Sequence, residues 1–381
     1  MCLVKLSELE FRAEGNGLPL LGRGWSEPES AYVWATGDFS ALSLPVDETH
    51  PAYVVVLAVR PIEHWQRVAF WSRGTLLGVH LVTEATRVSI GVARGLVVDG
   101  RIELVMTHYD RARACDLGAG GDDVRLLSIA LSGAEIHGST RVPATPHAAG
   151  AYAAPRQTLP DAALLGCFQS LGDNCEFGLV QRRLGADPLH LLRFAGINLR
   201  DLLLGLNSEF DGLDDPARLS LRLSGEPGEQ EFILLHDSYG LNSHTFQHEH
   251  TADAATVLAR SRQKLALQRR MFLEDLEDAE KIFVLKRNDA LALAEVLPVW
   301  SCLRGYGDNT LLYVVAADAG HLPGTVEERA PGLLCGYIDR FAPYEDAHNL
   351  FDECWLSICR NAHALWSESR RHAGPLLMAA E

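Results

Sequence analysis

The sequence has no C-x-x-C pair, no phosphate-binding loop and no basic excess, and each gap removes a class of function. Its eight cysteines, at 2, 115, 167, 175, 302, 335, 354 and 359, are scattered, which leaves neither a zinc ribbon nor a dithiol redox motif. With no export signal ahead of them they read as free thiols, mostly small core residues. Met1 to Glu10 turns acidic before any apolar run of signal-peptide length, and no window approaches the roughly 18 apolar residues of a membrane span. The expected compartment is the cytoplasm. Gly118-Ala119-Gly120-Gly121 is not followed by Lys-Ser/Thr, and no dinucleotide fingerprint stands elsewhere, so no cofactor is expected. The formal charge of −16, from 34 Lys+Arg against 50 Asp+Glu, speaks against binding to nucleic acid or anionic membranes.

What is present suits two domains: 381 residues, 47% hydrophobic and 22% charged, bury real cores. Residues 1–140 read as an all-β sandwich. Tyr53 to Val59 is a β-branched run, Val68 to Trp71 and Leu76 to Val82 flank the turn Ser72-Arg73-Gly74-Thr75, and Arg101 to Thr107 and Val124 to Leu131 add further strands. Residues 141–158, with two prolines and no periodicity, read as a linker. From 159 to 381 the pattern is α/β. Leu164 to Leu171 reads as a buried strand, and Phe177, Val180 and Leu184 share a helical face ended by Gly185. Strands at 281–286 and 310–316 enclose a helix, Leu291 to Leu303, that Pro298 is expected to kink or split. This βαβ unit demands a mainly parallel sheet, Rossmann- or flavodoxin-like, with a papain-like fold as the runner-up. Ala347 to Trp366 reads as a closing helix.

The segment Ser170-Leu171-Gly172-Asp173-Asn174-Cys175 falls where strand turns into helix, the place at which open α/β sheets hold ligands. Gly172 permits a tight turn and Asp173 or Asn174 suits a helix cap. Cys175 then lies at a helix start, where unpaired amides and the dipole favour a thiolate. A packed, inert cysteine under a capping Asn174 is the bland alternative. The richest source of a general base is His236 to His250. If extended, it puts His244, Phe246, His248 and His250 on one face. Asp237, Asn288 and Asp289 are candidates to orient the imidazole, the last two because they follow a strand end. Three histidines on one face also suit zinc, although no H-E-x-x-H accompanies them.

These residues resemble a known family. Phe168 to Gly178, Leu192-Arg193-Phe194 and His244 to Glu249 are similar to an uncharacterised bacterial family assigned to papain-like cysteine peptidases, with S-L-G-x-N-C and F-x-H-[DE] motifs and a strand ending in a basic residue. Here those fall on Ser170 to Cys175, Phe246 to Glu249 and Ile282 to Arg287, and the resemblance covers roughly 160–320. It implies a Cys175 nucleophile and a His248 base. A helical stretch at about 252–278 and a βαβ unit follow the histidine, where a papain-like order has antiparallel strands. The S-L-G-D-N turn also resembles the nucleophile turn of flavodoxin-like SGNH esterases, which would shift attention to Ser170. That pattern is incomplete, because Asp346-Ala347-His348 is one residue short of D-x-x-H. In the first half, Gly22 to Glu29 with Val33 to Gly37 resembles the opening of jelly-roll modules of bacterial glycan-handling proteins. There Trp25 and Trp34 are candidate sugar platforms or, alternatively, core aromatics.

The basic run Arg260-Ser261-Arg262-Gln263-Lys264 reads as a solvated helix, since Glu274 to Asp278 follow in the same element. Arg193 and Arg287, near strand ends, are candidates to hold an anionic substrate group. The expected function is a cysteine-dependent hydrolase or acyltransferase. It would use Cys175, His248 or His244, and Asp289 or Asp237, with backbone amides at 172–175 as an oxyanion hole and a glycan-linked substrate as one option. A non-catalytic glycan-associated protein and a Ser170 esterase are the alternatives.

Overall fold

A computed structural model describes residues 3–62, 66–108, 110–113, 115, 123–140, 159–318, 321–344 and 346–377, with side chains to 370. The join expected at 141–158 and the glycine run at 118–121 lie outside the described residues. The chain divides into two compact units, Met1–Ala154 and Pro155–Glu381.

The first unit holds β1 (Leu3–Glu10), β2 (Val33–Thr36), β3 (Phe39–Pro45), β4 (Ala52–Pro61), β5 (Gln66–Ser72), β6 (Thr75–Val82), β7 (Thr86–Ala93), β8 (Val97–Val98), β9 (Arg101–His108), β10 (Ala112–Arg113) and β11 (Leu126–Ser139). One sheet runs β1-β11-β4-β7 with β2 and β10 on β11, and the other runs β3-β9-β5-β6 with β8 on β9. All of these pairings are antiparallel. Inward residues of both sheets, Val55 and Leu57 from one and Leu42 and Leu104 from the other, share one core, as two half-buried sheets must. Arg73 and Gly74 both have positive φ (48° and 71°), the geometry of the two-residue hairpin turn between β5 and β6. The two tryptophans belong to this fold. The Trp25 indole donates to the Ala41 carbonyl (2.7 Å) and packs on the core. Trp34 is buried beside Leu127 and Ala130, with the Arg60 guanidinium over its ring. Neither presents an open face as a sugar platform.

The second unit begins with α1 (Asp161–Gly166) and β12 (Phe168–Ser170). The apolar run 164–171 is therefore not one strand. Its first half completes a helix whose Leu164 and Leu165 are buried, and only three residues pair in the sheet. Then come α2 (Glu176–Arg183), β13 (Ala195–Gly196), α3 (Leu199–Asn207), β14 (Leu219–Ser224), β15 (Glu231–His236), β16 (Leu241–His248), α4 (Ala254–Asp278), β17 (Ile282–Lys286), α5 (Leu293–Tyr306), β18 (Thr310–Ala316), β19 (Val326–Ala330), β20 (Leu333–Ile338) and α6 (Asp352–Leu377). Strands β12, β17, β18 and β20 are mutually parallel, and β19 closes the edge antiparallel. Helix α5 runs unbroken through Pro298. Both Pro298 and Ala294, whose carbonyl loses its amide partner there, are exposed, so water satisfies that carbonyl. A second, antiparallel sheet, β13-β16-β15-β14, was only partly legible in the sequence. It shares a core with the parallel sheet through Leu234, Leu241, Phe272, Phe283 and Leu311.

Candidate active site

The turn between β12 and α2 is built by backbone constraints. Leu171 donates to Val284 (2.9 Å), which carries the pairing with β17 one step past the strand end. Gly172 (φ 96°) and Asp173 (φ 82°) then reverse the chain through the left-handed region. A Cβ at 172 would stand 2.5 Å from Ile197 Cγ2, so only glycine fits. Cys175 follows as the N-cap residue of α2. The Asn174 Oδ1 atom accepts from the Glu176 amide (2.9 Å), occupying one of the free helix-start donors.

Beneath this turn lies a sealed ion cluster. Lys286, at the end of β17, is almost completely buried. Its ammonium donates to Glu176 Oε2 (3.0 Å) and Asn288 Oδ1 (2.8 Å) and stands 3.3 Å from Asp173 Oδ2. Glu176, 0% exposed, also accepts from the Trp355 indole (2.9 Å), and the Tyr344 hydroxyl donates to Asp173 (3.0 Å). Both carboxylates are thus paired or hydrogen-bonded, the condition for burying them. Asn288 supports this floor and orients no imidazole.

Above the turn, the Cys175 thiol adjoins the His244 imidazole closely enough to raise its pKa. The Nδ1 atom of His244 lies 2.9 Å from Glu231 Oε2, which leaves Nε2 for the sulfur. The pKa of His244 is raised to about 9, first by the Cys175 hydrogen bond and then, against the cost of burial, by the charges of Cys175 and Glu231. The ring is therefore an imidazolium at neutral pH, the neighbour that favours a thiolate. A wide bulge sets this geometry. Glu231 pairs with His248 and Ile233 with His244, so the three residues 245–247 of β16 face only Phe232 of β15. Phe246 takes φ 56°, and its amide donates to Glu231 Oε1 (2.7 Å). One carboxylate thus pins both the ring and the bulge that carries it. Phe246 stacks on His244, meets Phe194 edge-on, and lies with Phe194 under the Arg182 guanidinium.

The structure brings together Cys175, His244 and Asn174, and separates the other candidates from them. His248 Nδ1 donates to the Glu229 carbonyl (2.9 Å) and lies beside His250, so it is His244 that meets Cys175. Register pairs His244 and His248 with Ile233 and Glu231, on one face of β15, and their side-chain partners rather than their face separate them. Asp237 is exposed in the β15–β16 turn, and Asp289 is exposed and paired with Arg287. Glu231 takes the orienting place expected of them. Arg193 is buried and spends both terminal nitrogens on Asp187 and the carbonyls of Pro188, Gly178 and Ala186, and its one unpartnered donor, Nε, is buried as well. Arg287 is likewise held by Asp289 rather than by the site. The buried Ser170 hydroxyl accepts from the Gly172 amide (3.2 Å), and no histidine hydrogen-bonds it among the described residues. That bond also removes Gly172 from the expected oxyanion donors. Two side-chain amides missed as such are buried without protein partners: Nδ2 of Asn174, adjoining the thiol, and both polar atoms of Gln169. An orphaned buried donor beside a nucleophile suits a developing oxyanion. Among the described residues no group of three or more His, Cys, Asp or Glu is placed to hold a metal ion, and no helix is long and apolar enough to cross a membrane.

No family model and no curated protein matches the chain. Among solved structures, the CBM36-1 domain of a multidomain xylanase from the hindgut metagenome of Trinervitermes trinervoides is 12% identical. It covers 35% of this chain and 98% of that one at a TM-score of 0.23. The C-terminal CBM6 of the laminarinase LamC from Zobellia galactanivorans is 17% identical over 34% of this chain and 98% of that one, at 0.21. The acetyl xylan esterase Est2A from Butyrivibrio proteoclasticus is 10% identical over 81% of this chain and 89% of that one, at 0.26. Identities and scores this low have no bearing on the site.

Proposed function

We propose that the second unit is a cysteine-dependent acyl-transfer catalyst, a thiol hydrolase or acyltransferase, with Cys175 as nucleophile, His244 as acid and base, and Glu231 as the group that orients His244. The observation that carries this reading is the alignment of the Cys175 thiol beside the His244 imidazole, which is itself hydrogen-bonded to the Glu231 carboxylate, the arrangement an activated nucleophile needs. The Cys175 sulfur adds to an acyl carbon, and His244 Nε2 gives its proton to the leaving group as the old acyl bond breaks, leaving a thioester. Water then gives one proton to His244 and its hydroxyl to the carbonyl. The carbon–sulfur bond breaks, the acid departs, and thiolate and imidazolium are restored. Acyl transfer differs only in the second nucleophile. In this reading the Asn174 amide, buried without a partner, and the unbonded backbone amides of the turn would receive the oxyanion.

Profiling with thiol-reactive probes tests the reading. At about pH 6–7 iodoacetamide should label Cys175 ahead of every other thiol, and Cys175→Ala should lose both that label and hydrolysis of activated esters. Labelling no faster than at Cys115 or Cys302 would sink it. For the first unit we propose carbohydrate binding. A 240 Å³ cavity lined by Tyr32, Arg60, Thr86, Arg87 and Ser132 supports this, with the Arg60 guanidinium stacked over the Tyr32 ring. Affinity electrophoresis in xylan or laminarin, with Tyr32→Ala as control, checks it; equal mobility with and without polysaccharide would count against it.

A further inference from the structure

His244 forms part of the wall of a cavity of about 270 Å³ between β15, β16, α4 and the segment before β13. Phe194 belongs to the same wall and also packs against Gly178, one turn from Cys175 on α2, so the cavity adjoins the thiol. Its volume lies near the low end of ligand sites, roughly 300–1,000 Å³. It would hold a side-chain-sized group rather than a polymer.

The charge on its walls is of one sign. Arg260 and Lys264, four residues apart on one face of α4, both line it. Neither takes part in a salt bridge or hydrogen bond among the described residues. Arg182 adds a third positive charge over Phe194 and Phe246. The nearby acid, Asp187, is bound to Arg193 and approached by Arg182 (3.9 Å). Lys264 is exposed at the mouth of the cavity, and its pKa is lowered by partial desolvation and then by the charges of Arg182 and Arg193, against the opposing charge of Asp187. His190, on the same wall, is pushed down to about 3, mainly by burial, and stays neutral. In a chain of net charge −16, such a concentration of cations beside a nucleophile has a chemical meaning.

We infer that this cavity holds a carboxylate carried by the acyl substrate itself, bound by Lys264 and Arg260, so that the enzyme acts on acyl groups bearing a second, negatively charged end. The inference rests on the thiol reading above and names its substrate class. Ser243, Ser261 and Gln247 on the same walls can hydrogen-bond the chain between the two ends. Leu191, Leu234, Val257 and Leu265 bury its methylenes.

Matched anionic and neutral thiol probes provide the test, with iodoacetate against iodoacetamide and 6-maleimidohexanoate against N-hexylmaleimide. The readout is the ratio of Cys175 labelling rates, normalised to the ratio for N-acetylcysteine. The intact protein should prefer the anionic member by about tenfold, with the larger preference for the longer pair, as oriented positive charge concentrates anions. The Arg260→Met/Lys264→Met double variant should lose at least about fivefold of that preference while Lys264→Arg retains it. A ratio in the double variant within about twofold of the parent, with Cys175 still the fastest thiol, overturns the carboxylate site and leaves the thiol reading intact. Absence of preferential Cys175 labelling in the parent overturns the thiol reading, and the carboxylate site with it.

Discussion

The floor and the rim of the turn at 171–175 use similar side chains for opposite ends. Below it, Glu176 meets Lys286 with 0% exposure and no route to solvent, and the pair fixes where the turn stands. Above it, Glu231 meets His244, whose side chain is 42% exposed, and the pair holds a proton next to a thiol. A carboxylate facing a lysine in a sealed interior is structural. The same group facing an imidazole at an open edge is chemical, because only the imidazole exchanges its proton near neutral pH and only the open edge admits a reactant.

Substitutions can break this contrast in order of size. His244→Asn should reduce Cys175-dependent ester hydrolysis by about 10²–10⁴-fold, with a drop in denaturant midpoint smaller than that of Lys286→Met, because the ring sits on the rim. Lys286→Met should do the reverse in kind. Leaving Glu176 buried without its cation should cost on the order of 3–5 kcal/mol in urea unfolding, so its activity loss follows from lost folded protein. Glu231→Gln should lower the rate by roughly tenfold to a hundredfold, since the ring keeps its thiol contact but loses its orienting charge. A Glu231→Gln variant as active as the parent would remove the carboxylate from the catalytic line. His248→Ala should stay within about twofold, its ring being held at a backbone carbonyl outside that line.

The pH dependence sharpens the contrast further. The pKa of His244 is raised from 6.5 to about 9, chiefly by the Cys175 hydrogen bond. Its contribution to stability is therefore fully present below pH 6.5 and is lost as pH rises through about 9. Acyl transfer, which needs the imidazolium proton for the leaving group, should decline through the same range. A rate that keeps climbing past that pH would show that the proton comes from elsewhere.

Local signals were legible where local backbone chemistry decides the outcome. Gly172, the Asn174 cap and the helical face through Phe177 and Val180 placed the thiol at a strand-to-helix turn, and that is where it stands. The βαβ spacing of 282–316 gave the parallel strands, since a crossover of that length permits little else. Leu164 to Leu171 misled because a short apolar run has no period by which to tell a helix end from a strand. His248 misled for another reason: strand alternation gives a face and not which ring along it lies beside the thiol. Glu231 could not be found at all. It lies 13 residues from His244 on a neighbouring strand, and only cross-strand register makes the two meet.

The turn at 170–175 is thus the part that the sequence by itself determined, because a left-handed glycine, a side-chain cap and a helix start act over a few neighbouring residues. Tertiary structure alone decided which histidine lies beside the thiol, which carboxylate meets that histidine, and that the solvated face of Arg260 and Lys264 also borders a cavity. Those three depend on strand register, a bulge and helix packing, which bring distant residues within hydrogen-bond reach by relations that no local pattern encodes.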